Sequence, residues 1–415
     1  MKWIMKNYNK IIYTLMLLLI VSLSINSYSL IDNDYDHKRH RPYDGYMNPY
    51  HGMSENTMNK VFLHKLNVWR KYYRNFTKEQ IEYNKKRFEL LDTYVVPTYP
   101  MIKKNIAILW RCHNPTENAI IRIKKWSKDF QNYAKSKRNG DINYSLHMTM
   151  DISAGNQFYL SSKEKLRDYN ITFHTYTSRN MTSIYPILIE MLKRVPPYFF
   201  ENSLSVAKGF HIESICLWWS WIQINSKLPK MVTYDFVWVL EDDIGITGGK
   251  LRTGSLLEFV SLYDQKDWKK ENERYNYDND CPDLITYGKY YTATADYKSY
   301  KDSWVYHDTV SNTYASIIHE REQFYTQEHI QRFSARYINL LHHYTRVNKI
   351  TAWSEQESIS IITHLKPKWR VGFIAFGNIG RYEVISRISQ ENFESIEIIE
   401  NNSTNPIKLW HALKW

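Results

Sequence analysis

Three consecutive acidic residues, Glu241, Asp242 and Asp243, directly follow an apolar, β-branched and aromatic run over residues 236–240, and a glycine-bearing turn comes next. In an α/β fold the carboxyl end of a buried strand opens into the ligand crevice. Adjacent carboxylates there repel each other unless a cation lies between them, and a divalent ion that is completed by substrate phosphates meets that need. The alternative is that the acids cap the next segment or face water.

Strand and helix patterns alternate from residue 103 onward, which predicts an α/β fold with a mainly parallel, mixed sheet flanked by helices. The apolar run over residues 106–110 is typical of a strand that is covered on both faces, and it delivers Arg111 to the crevice. Arg111 could pair with a phosphate or a base, or make an ordinary salt bridge. Residues 264–283 are predicted to form an exposed loop. Further strands are predicted at 146–151, 171–176, 236–240, 284–287 and 369–376, and helices at 119–132, 184–194, 209–225, 327–343 and 355–364.

The N-terminus combines three lysines with an apolar run of 15 residues over 11–25. This run is short for a membrane span, which needs about 20 residues, and lies near the upper limit for a cleaved signal peptide. We expect an uncleaved anchor that keeps its lysines in the cytosol. The predicted organisation is therefore a cytosolic tail (1–10), a transmembrane signal-anchor (11–27), a stem with a basic helical segment (28–100) and one large domain (101–415).

The charge and cysteine content narrow the class of protein. Half of the net charge of +12 comes from residues 60–89, which hold nine Lys or Arg and three Glu, and no recognised nucleic-acid-binding module is present. We therefore expect no nucleic-acid partner.

Three cysteines cannot form a disulfide framework, so either one bridge and a free thiol or three buried thiols are expected. Six N-glycosylation sequons agree with a lumenal location.

The segment FVWVLEDDIGITGG (236–249) resembles the acidic signature of a eukaryotic type II membrane glycosyltransferase-like family of the GT-A fold. The resemblance extends through GFHIES (209–214), QRFSARYINLL (331–341), WSEQES (353–358) and LWHALK (409–414), and covers most of residues 103–415. It implies a GT-A-like fold and a single-pass membrane protein of the Golgi or endoplasmic reticulum with a lumenal catalytic domain.

The same resemblance implies that the acidic motif holds Mn²⁺ or Mg²⁺ against the diphosphate of a nucleotide sugar. Asp243 is then the direct metal ligand, and Asp242 or Glu241 contacts the ribose or the ion. The charge that develops on a departing nucleoside diphosphate explains the need for a cation.

A histidine near the C-terminus is a further metal or phosphate contact in such enzymes, and His411 matches its place. The family's pattern usually continues with proline, whereas this chain has Ala412. His364 is the competing candidate.

An inverting transfer needs a carboxylate that deprotonates the acceptor hydroxyl. Glu355 fits the acidic motif that opens a helix near the sugar site in many such enzymes, and Glu357 is the alternate. Ser354 and Glu357 also have the spacing of a helix capping box, so both roles are open. A retaining transfer would need no such base.

The sequence therefore predicts a metal-dependent, inverting glycosyltransferase that moves a sugar from a nucleotide sugar to a glycan or glycoprotein, with the kind of sugar unresolved. One alternative is a catalytically silent lumenal binding or scaffold module of the same fold. Another is a sugar-phosphate transferase, which would need the same cation.

Overall fold

Seven strands of this computed structural model form one sheet. The residues that the structure describes are 105–138, 141–153, 155–185, 211–225, 234–269, 277–287, 290–292, 324–326, 329–348, 362, 366, 368–375, 378–382, 390–402, 406–411 and 413. The described strands are β1 (Asn105–Cys112), β2 (Asn143–Asp151), β3 (Ile171–Tyr176), β4 (Phe236–Glu241), β5 (Gly245–Thr247), β6 (Leu284–Tyr287), β7 (Tyr290–Thr292), β8 (Phe324–Thr326), β9 (Ile330–Ser334), β10 (Val371–Ile374), β11 (Ile379–Tyr382) and β12 (Lys408–His411).

The large sheet has the order β10-β6-β9-β4-β1-β2-β3. Its neighbours run parallel except at β9, which is antiparallel to both β4 and β6. The predicted α/β class, with a mainly parallel mixed sheet flanked by helices, is confirmed. A second sheet of three strands has the order β11-β12-β5, and β7 pairs with β8.

Helices cover both faces of the large sheet. The described α-helices are α1 (Glu117–Ser136), α2 (Gln157–Lys165), α3 (Ser178–Ile184), α4 (His211–Asn225), α5 (Leu256–Asp264), α6 (Ala335–His343) and α7 (Gln390–Asn401). Trp110 and Trp238 point to one face and belong to a core that includes residues of α1 and α5. Successive side chains of a strand alternate, so His147 points to the other face, where it contacts Trp218 of α4.

The predicted helix over 327–343 is wrong in its first half. Residues 330–334 form β9, and only the second half is helical, as α6. Pairing with β4 and β6 on both sides overrides the helical spacing of the apolar residues. Ser334 then begins the helix, since its side chain accepts a hydrogen bond from the Tyr337 N–H.

The predicted exposed loop over 264–283 is confirmed in part, since residues 265–267, 269, 278 and 280 are exposed. Asp264 and Asp283 have no exposed surface, and Trp268 and Tyr277 are buried. Asp283 forms an ion pair with Arg336, so its charge is compensated inside the protein. Charge in the sequence therefore did not indicate exposure at the two ends of this stretch.

Several expectations concern residues outside those described. They include the tail, anchor and stem predicted over 1–100 and the helices predicted over 355–364 and most of 184–194. Across the helices that the structure describes, none combines the length and apolar character needed to span a bilayer. Cys112, Cys216 and Cys281 are buried free thiols, which decides between the two cysteine arrangements.

Gly245 in β5 lies against the side chains of Leu413 and Phe393. A Cβ atom at this position would lie 2.6 Å from Phe393 Cζ and would also overlap Leu413 Cδ1. We predict that Gly245→Ala lowers the free energy of unfolding by about 1–3 kcal/mol, since it overpacks a closed contact. Urea denaturation measures the change.

The matched test places the same change in a Leu413→Ala background. The added methyl group then enters the space that the leucine vacated, so Gly245→Ala should cost much less there. Equal costs in the two backgrounds would contradict the steric explanation.

Candidate metal centre

The side chains of interest meet at the carboxyl edge of the large sheet, where β1 and β4 end side by side. Arg111 and Glu241 are register partners in this parallel pair. Because β9 is antiparallel to β4, the start of β9 lies beside the end of β4. The Glu241 N–H donates a hydrogen bond to the His329 carbonyl oxygen, with N···O 3.1 Å. His329, which directly precedes β9, is thus adjacent to Glu241 in space.

The three-stranded sheet brings a further histidine to the same place. β12 pairs antiparallel with β5, and the Leu413 N–H donates to the Asp243 carbonyl oxygen at 2.8 Å. His411 Nε2 lies 3.3 Å from Asp243 Oδ2 and 3.8 Å from Glu241 Oε2. The rings of His411 and His329 stack with centroids 3.3 Å apart and 14° between their planes. The predicted metal residues Asp243 and His411 are therefore neighbours.

Glu241, His329 and His411 form a group that could hold a metal ion. Each offers one ligand atom, and these atoms lie within 4.8 Å of one another. Two imidazole nitrogens and one carboxylate oxygen are ligands of divalent metal ions in proteins. The donor set therefore fits a divalent cation, with the Asp243 carboxylate beside it.

The electrostatics of this group favour its metal-binding forms. Burial alone would raise the pKa of the Glu241 carboxyl, but His329 and Arg111 outweigh that effect and hold the pKa well below its usual range. Burial and the adjacent His411 lower the pKa of His329, against the opposing effect of Glu241. An ionised carboxylate and a neutral imidazole are the states that bind metal.

Arg111 makes a buried ion pair at this site. Its Nη2 donates to Glu241 Oε1 at 3.0 Å and also lies 3.1 Å from His211 Nδ1. The partner of Arg111 in this ion pair is the first residue of the acidic motif. The predicted pairing of Arg111 with a phosphate or a base stays a prediction.

A second cation lies behind the motif. Arg122 Nη2, from α1, donates to the backbone carbonyl oxygen of Asp242 at 3.2 Å. Burial lowers the pKa of Arg122 to about 10, although Asp242 and Asp243 oppose this shift. The guanidinium group therefore stays charged at neutral pH. No sequence pattern distinguishes Arg122, since it is one of several basic residues along the predicted helix over 119–132.

The structure brings together five of the residues predicted for the site: Arg111, Glu241, Asp242, Asp243 and His411. The two predicted bases, Glu355 and Glu357, and the competing His364 lie outside the described residues. Their roles stay predictions.

His329 is the member of the group that sequence reasoning missed. Its position was predicted to be inside a long helix over 327–343, where it would have no relation to the acidic motif. Ile330 and Phe333 are three residues apart, which is a helical spacing, so the local sequence carries no signal that a strand begins after His329.

Comparisons with solved structures find similarity to glycosyltransferases. The apo form of mouse xyloside xylosyltransferase 1 is 9% identical with a TM-score of 0.30, over 74% of this chain and 98% of that chain. Mannosyltransferase Ktr4p from S. cerevisiae is 12% identical with a TM-score of 0.26, over 66% of this chain and 74% of that chain. Its complex with GDP is 11% identical with a TM-score of 0.27, over 76% and 78%. No protein-family model and no curated protein matches the chain. Likenesses at this level do not assign the chain to a family.

Proposed function

We propose that this protein is a metal-dependent glycosyltransferase. It transfers a sugar, with inversion, from a nucleotide-sugar donor to a glycan or glycoprotein acceptor. We further propose that it acts in the lumen of the Golgi or the endoplasmic reticulum, anchored through residues 11–27 as a single-pass type II membrane protein with its catalytic domain at 101–415.

The observation that carries the proposal is the convergence of Glu241, His329 and His411 at the carboxyl edge of the sheet. Three separate segments, the end of β4, the start of β9 and the end of β12, supply these side chains. Ligands of open α/β sheets bind outside this edge. The acidic motif that resembles a nucleotide-sugar site thus coincides with a group of metal-binding side chains.

The spacing of the acids supports the same conclusion. Glu241, Asp242 and Asp243 follow one another in the chain at the end of β4. Carboxylates this close repel each other, so a cation among them stabilises the arrangement.

A bound divalent cation supplies positive charge that stabilises the departing nucleoside diphosphate. Glu241, His329 and His411 would hold it, and the neighbouring Asp243 would complete or orient its ligands. Arg111 keeps Glu241 ionised and in place. We assign proton removal from the acceptor hydroxyl to Glu355, with Glu357 as the alternate.

The metal can be tested on the purified full-length chain. We predict that Mn²⁺ binds more tightly than Mg²⁺, because two imidazole nitrogens suit a transition metal and Mg²⁺ prefers oxygen ligands. Calorimetric titration compares the two dissociation constants. Removal of metal with EDTA should lower stability by about 2.7 kcal/mol relative to protein in Mn²⁺ at 100 times its dissociation constant. Equal, weak binding of both ions would contradict the assignment.

The reaction is tested by incubation with UDP-sugars and GDP-sugars in Mn²⁺. Release of UDP or GDP supports the glycosyltransferase. Release of UMP or GMP would identify a sugar-phosphate transferase instead. A silent binding module would release no nucleotide. If none of these nucleotide sugars causes a metal-dependent thermal shift, a scaffold that does not bind the donor is favoured.

A further inference from the structure

Arg111, which donates a hydrogen bond to Glu241, also contacts His211 at the start of α4. Arg111 Nη2 lies 3.0 Å from Glu241 Oε1 and 3.1 Å from His211 Nδ1. Arg111 and His211 are each 7% exposed, so water competes little for these hydrogen bonds. A guanidinium NH₂ group carries two hydrogens, so this one nitrogen can donate to both partners.

The direction of these hydrogen bonds is fixed by chemistry. Arginine has donors only, so His211 Nδ1 accepts from Arg111, and the imidazole carries its hydrogen on Nε2. The histidine thus accepts a hydrogen bond from the same NH₂ group that donates to Glu241, and so restrains the rotation of the guanidinium group. α4 supplies a rigid base for this contact, since its residues 211–220 are buried.

The two oxygens of Glu241 have different neighbours. Oε1 accepts from Arg111, while Oε2 lies 2.6 Å from His329 Nδ1 and 3.8 Å from His411 Nε2. A 180° rotation of the carboxylate only exchanges two equivalent oxygens, but a smaller rotation would turn its oxygens away from the histidines. The hydrogen bond to Oε1 therefore holds the carboxylate plane in the orientation that presents an oxygen to the proposed metal.

We infer that His211 is a positioning residue of the metal centre, which acts through Arg111 to orient Glu241 so that Oε2 faces His329 and His411. The inference rests on the proposed function in one respect, namely that this site binds a divalent cation. Residues that orient metal ligands typically change metal affinity by about 10–100-fold when replaced.

Two polar variants of similar size test the inference. In His211→Asn the amide oxygen can occupy about the position of Nδ1 and still accept from Arg111, whereas in His211→Gln the amide group extends beyond it. With Co²⁺ as the probe, we expect the dissociation constant of the full-length chain to rise by about 10-fold or more in His211→Gln and by less than about 3-fold in His211→Asn. The d–d absorption of bound Co²⁺ should change in the Gln variant only, because a carboxylate ligand has moved.

A matched control separates positioning from general effects on the fold. His147 is another buried histidine, and its ring nitrogens contact His174 and Tyr234 rather than the metal group. His147→Gln should leave Co²⁺ affinity unchanged even where it lowers the thermal midpoint. If His147→Gln weakens Co²⁺ binding as much as His211→Gln does, the effect is general and the inference is overturned.

A double-mutant cycle tests the route through Arg111. In an Arg111→Met background, His211→Gln should cause no further loss of Co²⁺ affinity, because the connection to Glu241 is already removed. A full additional loss would overturn the inference, and so would equal affinities of the Asn and Gln variants. Failure of the unaltered chain to bind Co²⁺ would overturn the proposed function itself, together with this inference.

Discussion

Glu241→Gln should abolish metal binding while it changes the shape of the side chain very little. The glutamine keeps the length of glutamate but loses its charge, and Glu241 is the one carboxylate in the described metal group. We expect the Mn²⁺ dissociation constant to rise by at least about 100-fold and the transfer rate to fall by at least as much. Calorimetric titration and a nucleotide-release assay measure the two effects.

The neighbouring Asp242→Asn is the matched comparison for metal binding. It removes a charge of the same sign one residue away, but the side chain of Asp242 does not belong to the group that could hold the metal. Mn²⁺ affinity without nucleotide should then change by less than about 3-fold. The assignment fails if the Asp242 variant loses Mn²⁺ and the Glu241 variant keeps it.

The Glu241 variant also leaves Arg111 buried without its anion. Removal of one partner of a buried ion pair is destabilising, so the thermal midpoint of the metal-free variant should fall as well. For this reason metal affinity is compared at a temperature where both variants are folded.

The largest effect on stability is expected for Asp264→Asn. Asp264 and Arg332 form an ion pair with Oδ1 to Nη1 2.8 Å, and neither side chain is exposed. Asp264 also accepts hydrogen bonds from Trp238 and Tyr144. The variant leaves Arg332 as an uncompensated buried charge, so we expect a loss of about 3–5 kcal/mol in the free energy of unfolding, measured by urea denaturation.

The double replacement Asp264→Leu with Arg332→Met gives the opposite expectation. Burial raises the pKa of Asp264 although Arg332 opposes the shift, which shows that desolvation offsets much of the attraction. Apolar side chains of similar volume should therefore restore most of the stability that the single variant loses. The exposed pair of Arg167 and Glu164 is the control, and Glu164→Gln should change stability by less than about 0.5 kcal/mol. A single-variant loss as small as that of the control would contradict the prediction.

The fold was predictable from sequence where strands have continuous apolar runs. The runs over 106–110 and 236–240 lie in β1 and β4 because local pattern and tertiary burial agree there. The helix predicted over 327–343 is wrong in its first half, where β9 forms, and the reason is physical. A five-residue strand between β4 and β6 gains its stability from pairing with residues that are distant in the chain, and local spacing does not record this.

The candidate site was predictable only in part for the same reason. The acidic motif can be recognised in the sequence, because three adjacent carboxylates at the end of a strand need a compensating positive charge. His411 was found through a resemblance, and Arg111 through its place after a strand. His329 carries no local signal of its own, since its role depends on the antiparallel direction of β9. The proximity of such a residue follows only from the strand order.

The placement of His411 on β12 has a thermodynamic consequence. That strand pairs with β5 and β11, Leu409 joins the main core, and Leu413 packs on Phe393. His411 therefore reaches the site only while these contacts hold, and their opening is a local equilibrium. A ligand that binds only when the strand is docked shifts this equilibrium towards docking. Docking in turn raises the affinity for the ligand by the same factor. Metal binding should therefore increase the order of the C-terminal strand, and stronger docking of that strand should increase metal affinity.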